Sequence, residues 1–421
     1  MSKSLEKIAI VGLGYVGLPL AIGFSKIYQV VGFDINKKRV KDLSNGSDST
    51  NEIINQQELL NKNIVYSSDP RSMKGSNFFI ITVPTPTTKS NKPDLSIIGK
   101  AANLIAPILE KGATVILEST VYPGVTETYL VPILSKVSKL KYKKDFFVAY
   151  SPERINPGES KYKLTNIKKV IGADNKKTLL NTSKLYKSII KAGVHEVSSI
   201  KVAEASKAIE NAQRDINIAF VNEVMMLSKA LNIDSNEVLE AAGTKWNFIN
   251  FKPGLVGGHC IGVDPYYLAE AGRKVNYKTE IILAGRKVND SIPNYLYKNI
   301  KSKINKRSRI LLLGLTFKED VGDIRNSKSA ELANKIMKGK FKIDCFDPKA
   351  NKIDLLKEYN IKIKKPSGRY DCIIVAVSHK EFIKMRVEEI FSMINEGAYI
   401  VDIKGIWKKK LSNKHKNLWC L

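Results

Sequence analysis

The chain has 421 residues, too many for one hydrophobic core, and its 43% hydrophobic content is enough for two or three packed domains. Its four cysteines form no C-x-x-C pair, which argues against a disulfide framework or a bound metal and indicates a reducing, cytoplasmic location. The net charge of +28 would suit a nucleic-acid or membrane binder, but the lysines are scattered through every segment, so we expect neither partner.

The first motif is a glycine turn. Residues 8–11 form a short apolar strand, followed by Gly12-Leu13-Gly14-Tyr15-Val16-Gly17 and a helix-like run to Phe24. In a G-x-G-x-x-G turn the first glycine allows the tight turn, the second admits a pyrophosphate, and the third packs helix on strand. Four glycines and a proline within the uncharged run 8–24 argue against a signal peptide or membrane span.

An acidic residue completes this motif. A second strand, 29–33, ends at Asp34, about twenty residues after the glycines, where a carboxylate binds both ribose hydroxyls of a dinucleotide. The same carboxylate would repel a 2′-phosphate. The sequence therefore predicts an NAD-binding Rossmann domain and favours NAD over NADP.

Three further strands predict the rest of this sheet. They are 78–83, 114–117 and 146–150, and polar residues follow each of them. Ligands of open α/β sheets bind at the carboxyl ends of strands, so Thr85 and Thr120 should lie on the cofactor side. Glu153 and Arg154 either face the ligand or are merely solvated loop charges.

A long central helix is predicted at 199–231, which has no glycine or proline and has apolar residues at helical spacing. We expect it to join the domains and to form a dimer interface. Lys207 and Asn211 lie one turn apart, with Asp215 a further turn on and Arg214 beside it. The face that carries these residues is either a stripe exposed to solvent or a functional surface, on which the cation of Lys207 and the amide of Asn211 stabilise an oxyanion.

The stretch 252–268, K-P-G-L-V-G-G-H-C-I-G-V-D-P-Y-Y-L, places Cys260 after Gly257-Gly258-His259 and four residues before Asp264. Neighbouring glycines expose a thiol for nucleophilic chemistry. If 260–264 is a helical turn, the Asp264 carboxylate shares a face with the sulfur and handles a proton or a water. The alternative is a small buried cysteine in a glycine turn.

The last third predicts a second nucleotide fold. Strands are expected at 309–314, 342–346, 371–377 and 399–402, and residues 323–327 should open a helix. Lys318 and Arg325 suit a diphosphate. The fold class is therefore α/β, with two Rossmann-like doubly wound parallel-sheet domains joined by a long central helix and a small helical domain. We expect domains at 1–198, 199–300 and 301–421, and two nucleotide ligands: NAD and a nucleotide-bearing substrate.

Eight stretches together resemble the nucleotide-sugar 6-dehydrogenases, the UDP-glucose/GDP-mannose dehydrogenase family, over nearly the whole chain. They are VGLGYVGLPLA, FDIN, ITVPTPT, ESTVYPG, YSPERINPG, IKVAEASKAIENAQRDINIAFVNE, KWNFINFKPGLVGGHCIGVDPYYL and LGLTFKEDVGDIRNS. The resemblance implies a four-electron oxidation with two NAD per turnover. The sugar C6 alcohol becomes an aldehyde, Cys260 captures it as a thiohemiacetal, a second hydride leaves a thioester, and water releases the uronic acid.

The resemblance also implies roles for individual residues. Lys207 and Asn211 should stabilise the oxyanion, Asp264 should assist proton handling at Cys260, and Glu153 with Thr120 should hold the hydrolytic water. The expected cofactor residues are Gly12, Gly14, Tyr15, Val16, Gly17, Asp34, Arg39, Thr85, Thr120 and Arg325. The expected substrate residues are Arg154, Ile155, Lys207, Asn211, Arg214, Asn250, Phe251, Gly257 and Lys318. Lys245 stands where some relatives carry an arginine that reaches the neighbouring subunit.

Three classes of function compete. The first is the four-electron enzyme, and the Gly-Gly-His-Cys loop with SPERINPG resembles the branch that acts on UDP-N-acetylhexosamines for surface polysaccharides such as capsule or O-antigen. UDP-N-acetylglucosamine is the expected substrate, with UDP-N-acetylgalactosamine, UDP-N-acetylmannosamine and then UDP-glucose as alternatives. The second is a two-electron NAD dehydrogenase with a structural cysteine, and the third is a nucleic-acid or surface-binding protein that uses the positive charge.

Overall fold

The computed structural model describes residues 6–50, 53, 55–88, 90–154, 164–258 and 260–421. The chain forms two compact units. The first comprises Met1–Glu210 and Tyr266–Tyr277, and the second comprises Asn211–Pro265 and Lys278–Leu421. Each unit is built on a mainly parallel sheet, so the predicted α/β class with two Rossmann-like folds is confirmed. No helix within the described ranges combines the length and apolarity needed to cross a bilayer.

The sheet of the first unit has eight strands in the order β3-β2-β1-β4-β5-β6-β7-β8. Neighbours pair in parallel except β6 and β7, which are antiparallel. The strands are β1 (Lys7–Val11), β2 (Gln29–Phe33), β3 (Ile64–Ser67), β4 (Phe78–Ile81), β5 (Thr114–Leu117), β6 (Phe147–Tyr150), β7 (Lys169–Ala173) and β8 (Val194–Glu196).

The α-helices that lie wholly within the described part of the first unit are α1 (Gly17–Ser25), α2 (Lys37–Ser44), α3 (Gln56–Leu59), α4 (Ser96–Ile105), α5 (Val131–Ser138) and α6 (Lys176–Lys187). Helix α1 is apolar along its length because it lies in the hydrophobic core of the first unit, where Leu18, Leu20 and Phe24 are fully buried. Strand β4 ends two residues earlier than predicted. The prolines that follow, Pro84 and Pro86, lack the N–H groups that a longer ladder needs.

The sheet of the second unit has five parallel strands in the order β10-β9-β11-β12-β13. They are β9 (Arg309–Leu313), β10 (Lys342–Phe346), β11 (Tyr370–Val375), β12 (Ile394–Asp402) and β13 (Leu418–Cys420). Apolar residues of β9 alternate between two core clusters, with Ile310 and Leu312 in one and Leu311 and Leu313 in the other. A strand buried on both faces reads as a continuous apolar run, which is why the sequence revealed it.

The helices that belong wholly to the second unit are α8 (Ser235–Ala242), α10 (Glu280–Lys301), α11 (Lys328–Lys338), α12 (Lys352–Tyr359), α13 (Lys380–Lys384), α14 (Val387–Ser392) and α15 (Lys408–Leu411). The sequence predicts a helical run over 232–242, and the helix found there, α8, begins three residues later, at Ser235. The reason is Asp234, whose carboxylate accepts the N–H groups of Asn236 and Glu237 and so caps the helix.

Helix α7 (Ile200–Ala230) is the predicted central helix, confirmed to within one residue at each end. Its residues up to Glu210 are in the first unit and the rest are in the second. Small residues such as Ala203, Ala208 and Ala212 are buried. In contrast, large apolar residues that indicated the helix are exposed, namely Val202, Ile209 and Phe220, and so is Leu227. The apolar periodicity of the sequence therefore comes partly from a face that this chain leaves uncovered.

Candidate functional site

The glycine motif forms a tight turn between β1 and α1. Gly12 has φ +99°, and its N–H donates to the Phe33 carbonyl at 2.8 Å. A Cβ on Gly17 would lie 1.8 Å from the Gly12 carbonyl oxygen, so only glycine lets α1 pack this closely. A Cβ on Gly14 would meet nothing within 4 Å. The turn thus offers open space at the start of a helix, the kind of place where a pyrophosphate binds. Tyr15 and Val16, between Gly14 and Gly17, are half-buried.

Asp34 lies directly after β2 and binds the glycine turn. Its Oδ2 accepts the N–H of Leu13 at 2.9 Å, and its Oδ1 accepts the N–H of Asn36 at 2.9 Å. A carboxylate oxygen has two lone pairs, so both oxygens can still accept ribose hydroxyls. These residues fit a dinucleotide, and the negative charge favours NAD over its 2′-phosphorylated form.

Arg39, on α2, is buried beneath the same turn. Its Nε donates to the Leu13 carbonyl at 3.0 Å, and its guanidinium pairs with Asp48 at 2.6 Å. Burial alone would raise the pKa of Asp48, but hydrogen bonds from Thr50, Ile53 and Arg39 hold that pKa below its usual value. Arg39 therefore positions the turn, and its direct contact with a cofactor stays a prediction.

Hydroxyl groups join the strand ends next to the turn. The Thr82 hydroxyl donates to the Gly12 carbonyl at 2.7 Å, and the Thr85 hydroxyl donates to the Thr120 carbonyl at 2.8 Å. Tyr267, on a later helix, α9 (Asp264–Lys274), donates its hydroxyl to the Thr85 carbonyl at 2.8 Å. Thr85 and Thr120 thus lie side by side at the carboxyl ends of β4 and β5, the edge predicted for the cofactor.

Glu153 and Arg154 follow β6, and neither is a merely solvated loop charge. The Oε1 of Glu153 accepts the N–H of Arg154 at 2.6 Å, and its Oε2 accepts a hydrogen bond from Lys169 at 3.1 Å. The Arg154 guanidinium pairs with Glu210 at 2.7 Å and donates to the Lys168 carbonyl at 3.0 Å. Both side chains are therefore held in place. The next predicted substrate residue, Ile155, lies outside the described residues.

In the second unit, the thiol loop of residues 254–264 places Cys260 one helical turn before Asp264. The Cys260 carbonyl accepts the N–H of Asp264 at 2.8 Å, so the predicted turn over 260–264 is confirmed. The Asp264 carboxylate is only 2% exposed and accepts a hydrogen bond from Nδ2 of Asn211 at 2.5 Å. The predicted thiol, carboxylate and amide are thus linked through Asp264, while His259 lies outside the described residues.

The four cysteines differ in accessibility. Cys260 is half-exposed, so the alternative of a small buried cysteine does not hold. Cys345 and Cys372 are buried in the second sheet, and burial raises the pKa of Cys345 to about 12 and that of Cys372 still further. Burial also raises the pKa of Cys420 to about 12. These three thiols stay protonated and are poor nucleophiles near neutral pH.

The thiol loop packs with its backbone against the segment that follows β9. A Cβ on Gly258, which has φ +84°, would lie 2.7 Å from the Phe317 ring, and a Cβ on Gly257 would lie 2.6 Å from the Asn326 carbonyl oxygen. Nδ2 of Asn326 donates to the Gly258 carbonyl at 3.2 Å. Both glycines are therefore needed for this close approach, in addition to any role in exposing the thiol.

Two further asparagines fix the start of the thiol loop. Oδ1 of Asn222, on α7, accepts the N–H of Gly254 at 2.8 Å, and its Nδ2 donates to the Gly254 carbonyl at 3.1 Å. The same Nδ2 donates to Oδ1 of Asn289, on α10, at 2.8 Å. All three residues are buried, so the loop begins from a rigid point.

On α7 the polar face is not a solvated stripe. Lys207 is 9% exposed, Asn211 is half-buried and Asp215 is fully buried, while Arg214 is exposed. Asp215 pairs with Arg286 of α10 at 2.5 Å rather than with Arg214. Burial raises the pKa of Asp215 to about 6, against the opposing charge of Arg286. Asp215 is therefore a structural residue, and the roles of Lys207 and Asn211 stay predictions.

The remaining predicted binding residues are distributed over the second unit. Phe251 and Lys318 are half-buried, and Asn250 is exposed. Arg325 forms an ion pair with Asp323 at 2.5 Å, and its contact with a cofactor stays a prediction. Lys245 is exposed, and the adjacent Trp246 is 91% exposed.

The second sheet repeats the turn of the first. Gly314 has φ +93°, its N–H donates to the Phe346 carbonyl at 2.9 Å, and Asp347 accepts the N–H of Leu315 at 2.6 Å. Asp347, however, is 3% exposed and binds the buried His379 at 3.1 Å. Burial opposes its charge, but His379 and backbone N–H groups lower the pKa of Asp347 to about 2. This carboxylate is therefore closed to a ribose, which distinguishes the second fold from the first.

Sequence reasoning missed two groups of residues. Glu118 and Lys169 form a buried ion pair at 2.6 Å beside Glu153, and Asn222 anchors the thiol loop. Glu118 directly follows the apolar strand β5, as Asp34 directly follows β2, and that position was the one available signal. Nothing in the sequence distinguishes Lys169 from the other lysines. Among the described residues, no three His, Cys, Asp or Glu side chains are grouped to hold a metal ion.

Comparison with known proteins supports this geometry. The chain matches models of the UDP-glucose/GDP-mannose dehydrogenase family: the NAD binding domain over 6–190, the central domain over 201–291 and the UDP binding domain over 311–409. It is 47% identical over 410 residues to the UDP-N-acetyl-D-glucosamine 6-dehydrogenase of Salmonella typhi, covering 95% of this chain and 96% of the relative. Identity to the Pseudomonas aeruginosa protein of the same name is 46% over 406 residues, covering 94% and 96%. The solved UDP-D-ManNAc dehydrogenase of Pyrococcus horikoshii matches with a TM-score of 0.86 and 30% identity, covering 98% of each chain.

Proposed function

Because the chain belongs to the UDP-glucose/GDP-mannose dehydrogenase family and is an NAD-dependent oxidoreductase, we propose that it oxidises UDP-N-acetylglucosamine at C6 to the uronate, for surface polysaccharide synthesis. The identity of 46 to 47% to two relatives named for this substrate supports the choice of sugar. The observation that carries the chemistry is the half-exposed Cys260, one helical turn from a buried Asp264 that binds Asn211.

The first unit holds the cofactor. NAD, when bound, accepts a hydride from the sugar carbon. The open backbone at Gly14 admits the pyrophosphate, and Asp34 accepts the ribose hydroxyls. Tyr15, Val16, Thr85 and Thr120 are proposed cofactor contacts at the same edge of the sheet, and Arg325 is a further proposed contact.

The thiol captures the half-oxidised sugar. The Cys260 sulfur adds to the aldehyde carbon, and the carbonyl oxygen becomes an oxyanion. Asn211 has two amide N–H groups and uses one on Asp264, so the other is free for the oxyanion, together with the Lys207 ammonium. Asp264 accepts the thiol proton. Loss of a second hydride from the same carbon converts the thiohemiacetal to a thioester, which keeps the intermediate bound throughout.

Water then completes the reaction. The water oxygen attacks the thioester carbonyl, the C–S bond breaks, and the products are the uronic acid and the Cys260 thiol. Glu153 takes the water proton, and the Thr120 hydroxyl orients the water. The proposed contacts to the UDP-sugar are Arg154, Ile155, Lys207, Asn211, Arg214, Asn250, Phe251, Gly257 and Lys318.

The test is the NADH stoichiometry. We expect two NADH per UDP-N-acetylglucosamine consumed by the wild-type enzyme, and loss of uronate formation in Cys260→Ala. Cys420→Ala is the matched control, because it removes a thiol far along the sequence in β13 and should retain the stoichiometry. One NADH per sugar with accumulation of free aldehyde, or full uronate formation by Cys260→Ala, would contradict the proposal and favour a two-electron dehydrogenase.

The sugar is tested separately. The epimers UDP-N-acetylgalactosamine and UDP-N-acetylmannosamine are the alternatives, and the Pyrococcus relative is named for the latter. Epimers differ by one hydroxyl and hence by one hydrogen-bond partner in the pocket. We expect UDP-N-acetylglucosamine to have the highest kcat/KM in a panel with these epimers and UDP-glucose, and a higher value for an epimer would reassign the substrate.

A homodimer through α7 accompanies this function. Ile209, Phe220 and Leu227 are each more than half exposed in the single chain, as is Trp246 beside Lys245. Large apolar side chains on a helix are normally covered, and a second copy would cover them. We expect a dimer mass by light scattering, with a monomer mass in the Phe220→Glu variant. A monomeric wild-type enzyme would contradict this.

The domain limits and the location complete the proposal. We place an NAD-binding domain at 1–198, a central domain at 199–300 and a UDP-sugar-binding domain at 301–421, and we expect limited proteolysis to cut near 198 or 300. The absence of C-x-x-C pairs supports a cytoplasmic location, where the reduced Cys260 is preserved. Cell fractionation that finds the protein outside the cytoplasm would contradict this.

A further inference from the structure

A buried row of charged side chains adjoins Glu153 in the first unit. Glu118 directly follows β5, Lys169 begins β7, and Glu153 follows β6, the strand between them. Because β7 runs antiparallel to β6, its first residue lies beyond the carboxyl end of β6. Lys169 Nζ lies 2.6 Å from Oε2 of Glu118 and 3.1 Å from Oε2 of Glu153. One ammonium therefore bridges two carboxylates.

The row extends from the interior towards the surface. The side chains of Glu118, Lys169 and Glu153 are 0%, 3% and 12% exposed, in that order. At the inner end, the hydroxyl of Tyr186, from α6, donates to Oε1 of Glu118. At the outer end, the N–H of Arg154 donates to Oε1 of Glu153. Glu153 is thus the member of the row that is accessible to a water, and the others are enclosed.

One positive charge serves two carboxylates in this row. The Lys169 ammonium binds both of them, the Tyr186 hydroxyl donates to Glu118, and the Arg154 guanidinium is itself paired with Glu210. Burial raises the pKa of Glu118 to about 7 despite the attraction of Lys169, and the charge of Glu153 raises it further. Burial opposes the charge of Lys169, but Glu118 and then Glu153 raise its pKa. The Lys169 ammonium therefore stays charged between the two carboxylates.

We infer that Glu118 and Lys169 are positioning residues for the hydrolytic step: Lys169 holds the Glu153 carboxylate in place, and Glu118 holds the Lys169 ammonium beside it. This deepens the proposed function and rests on it. When Glu153 takes a proton from water, the Lys169 ammonium keeps its hydrogen bond to Glu118 and so stays in place. The proton passes to the departing Cys260 thiolate, and the row returns to its starting state.

Glu118→Gln tests the inference, because glutamine keeps the shape and a hydrogen-bond acceptor but removes the charge. Without this negative charge, the Lys169 ammonium should be held less firmly beside Glu153. We expect kcat to fall about ten-fold with KM unchanged. Lys169→Arg keeps the cation and should have a kcat close to wild type. Glu196→Gln is the matched control, because it removes a carboxylate from the surface pair with Lys187 at 3.3 Å.

A second readout separates hydrolysis from the oxidation steps. Stopped-flow NADH formation should show both hydride transfers intact in Glu118→Gln. In Lys169→Met, mass spectrometry of acid-quenched enzyme should show accumulation of the Cys260 adduct at pH 7, with steady-state turnover at least about ten-fold slower. A Glu118→Gln kcat that matches wild type and Glu196→Gln, in an enzyme that still forms the adduct, would overturn the inference. Absence of the adduct in wild type would instead overturn the proposed function.

Discussion

Arg286→Met should leave the buried Asp215 carboxylate without its counter-ion and so destabilise the second unit. Arg286 is 2% exposed and lies between Asp215, at 2.5 Å, and Asp290, at 2.6 Å. Asp290 is partly exposed and keeps Lys328 at 2.9 Å in the variant. Asp215 is fully buried and is left with the hydrogen bonds that Asn289 donates to its carboxylate and its carbonyl oxygen, so it bears nearly the whole loss.

The size of the expected loss in the free energy of unfolding follows from the burial of Asp215. Removing one partner of a buried ion pair costs about 3 to 5 kcal/mol, because the other charge stays desolvated. With a guanidinium m-value of about 4 kcal/mol/M for a unit of this size, the unfolding midpoint should fall by about 1 M. The loss should be greater at pH 8 than at pH 5. The pKa of Asp215 is already raised to about 6 by burial, and at pH 5 the stranded carboxyl is protonated and neutral.

The assay is guanidinium unfolding followed by circular dichroism at both pH values. The double variant Asp215→Asn/Arg286→Met removes both charges and keeps an acceptor for Asn289, so it should recover most of the stability. Arg386→Met, in a surface pair with Glu389 at 3.0 Å, should leave the midpoint unchanged. An Arg286→Met midpoint equal to wild type, or a double variant no more stable than the single, would refute the reasoning.

Two further predictions concern the first unit. Gly14→Ala should fold as wild type, because its Cβ meets nothing within 4 Å, yet weaken NAD binding at least about ten-fold; Gly17→Ala, whose Cβ would lie 1.8 Å from the Gly12 carbonyl oxygen, should instead lower the melting temperature. Equal melting temperatures, or unchanged NAD titrations, would contradict this. The pKa of Glu118 is raised from 4.5 to about 7, so its contribution to stability is complete below about pH 4.5 and is lost as the pH rises through about 7. Between pH 5 and pH 8, the free energy of unfolding should fall by about 3 kcal/mol less in Glu118→Gln than in wild type. Equal decreases in the two proteins would contradict this prediction.

Most of the fold was predictable because local sequence reports local structure. Buried strands such as β1 and β9 read as apolar runs, and α7 reads as an uninterrupted helical period. The glycine turn and Asp34 were recognisable because a tight turn and a ribose contact each demand one residue type at one spacing. The errors lie at element ends, where a cap such as Asp234 or a proline such as Pro84 decides the boundary.

The sequence by itself determined the α/β class, the dinucleotide turn and the placement of Cys260 one turn before Asp264, since each depends on residues close together in the chain. Only the tertiary structure decided which charges are paired. Lys169 pairs with Glu118, which is 51 residues away in the sequence, and Arg286 pairs with Asp215, which is 71 residues away. No local pattern encodes either pairing. It also showed that Asp347 is closed by His379 while Asp34 is available. The physical reason is that burial and charge balance depend on neighbours brought together by packing, which local periodicity does not record.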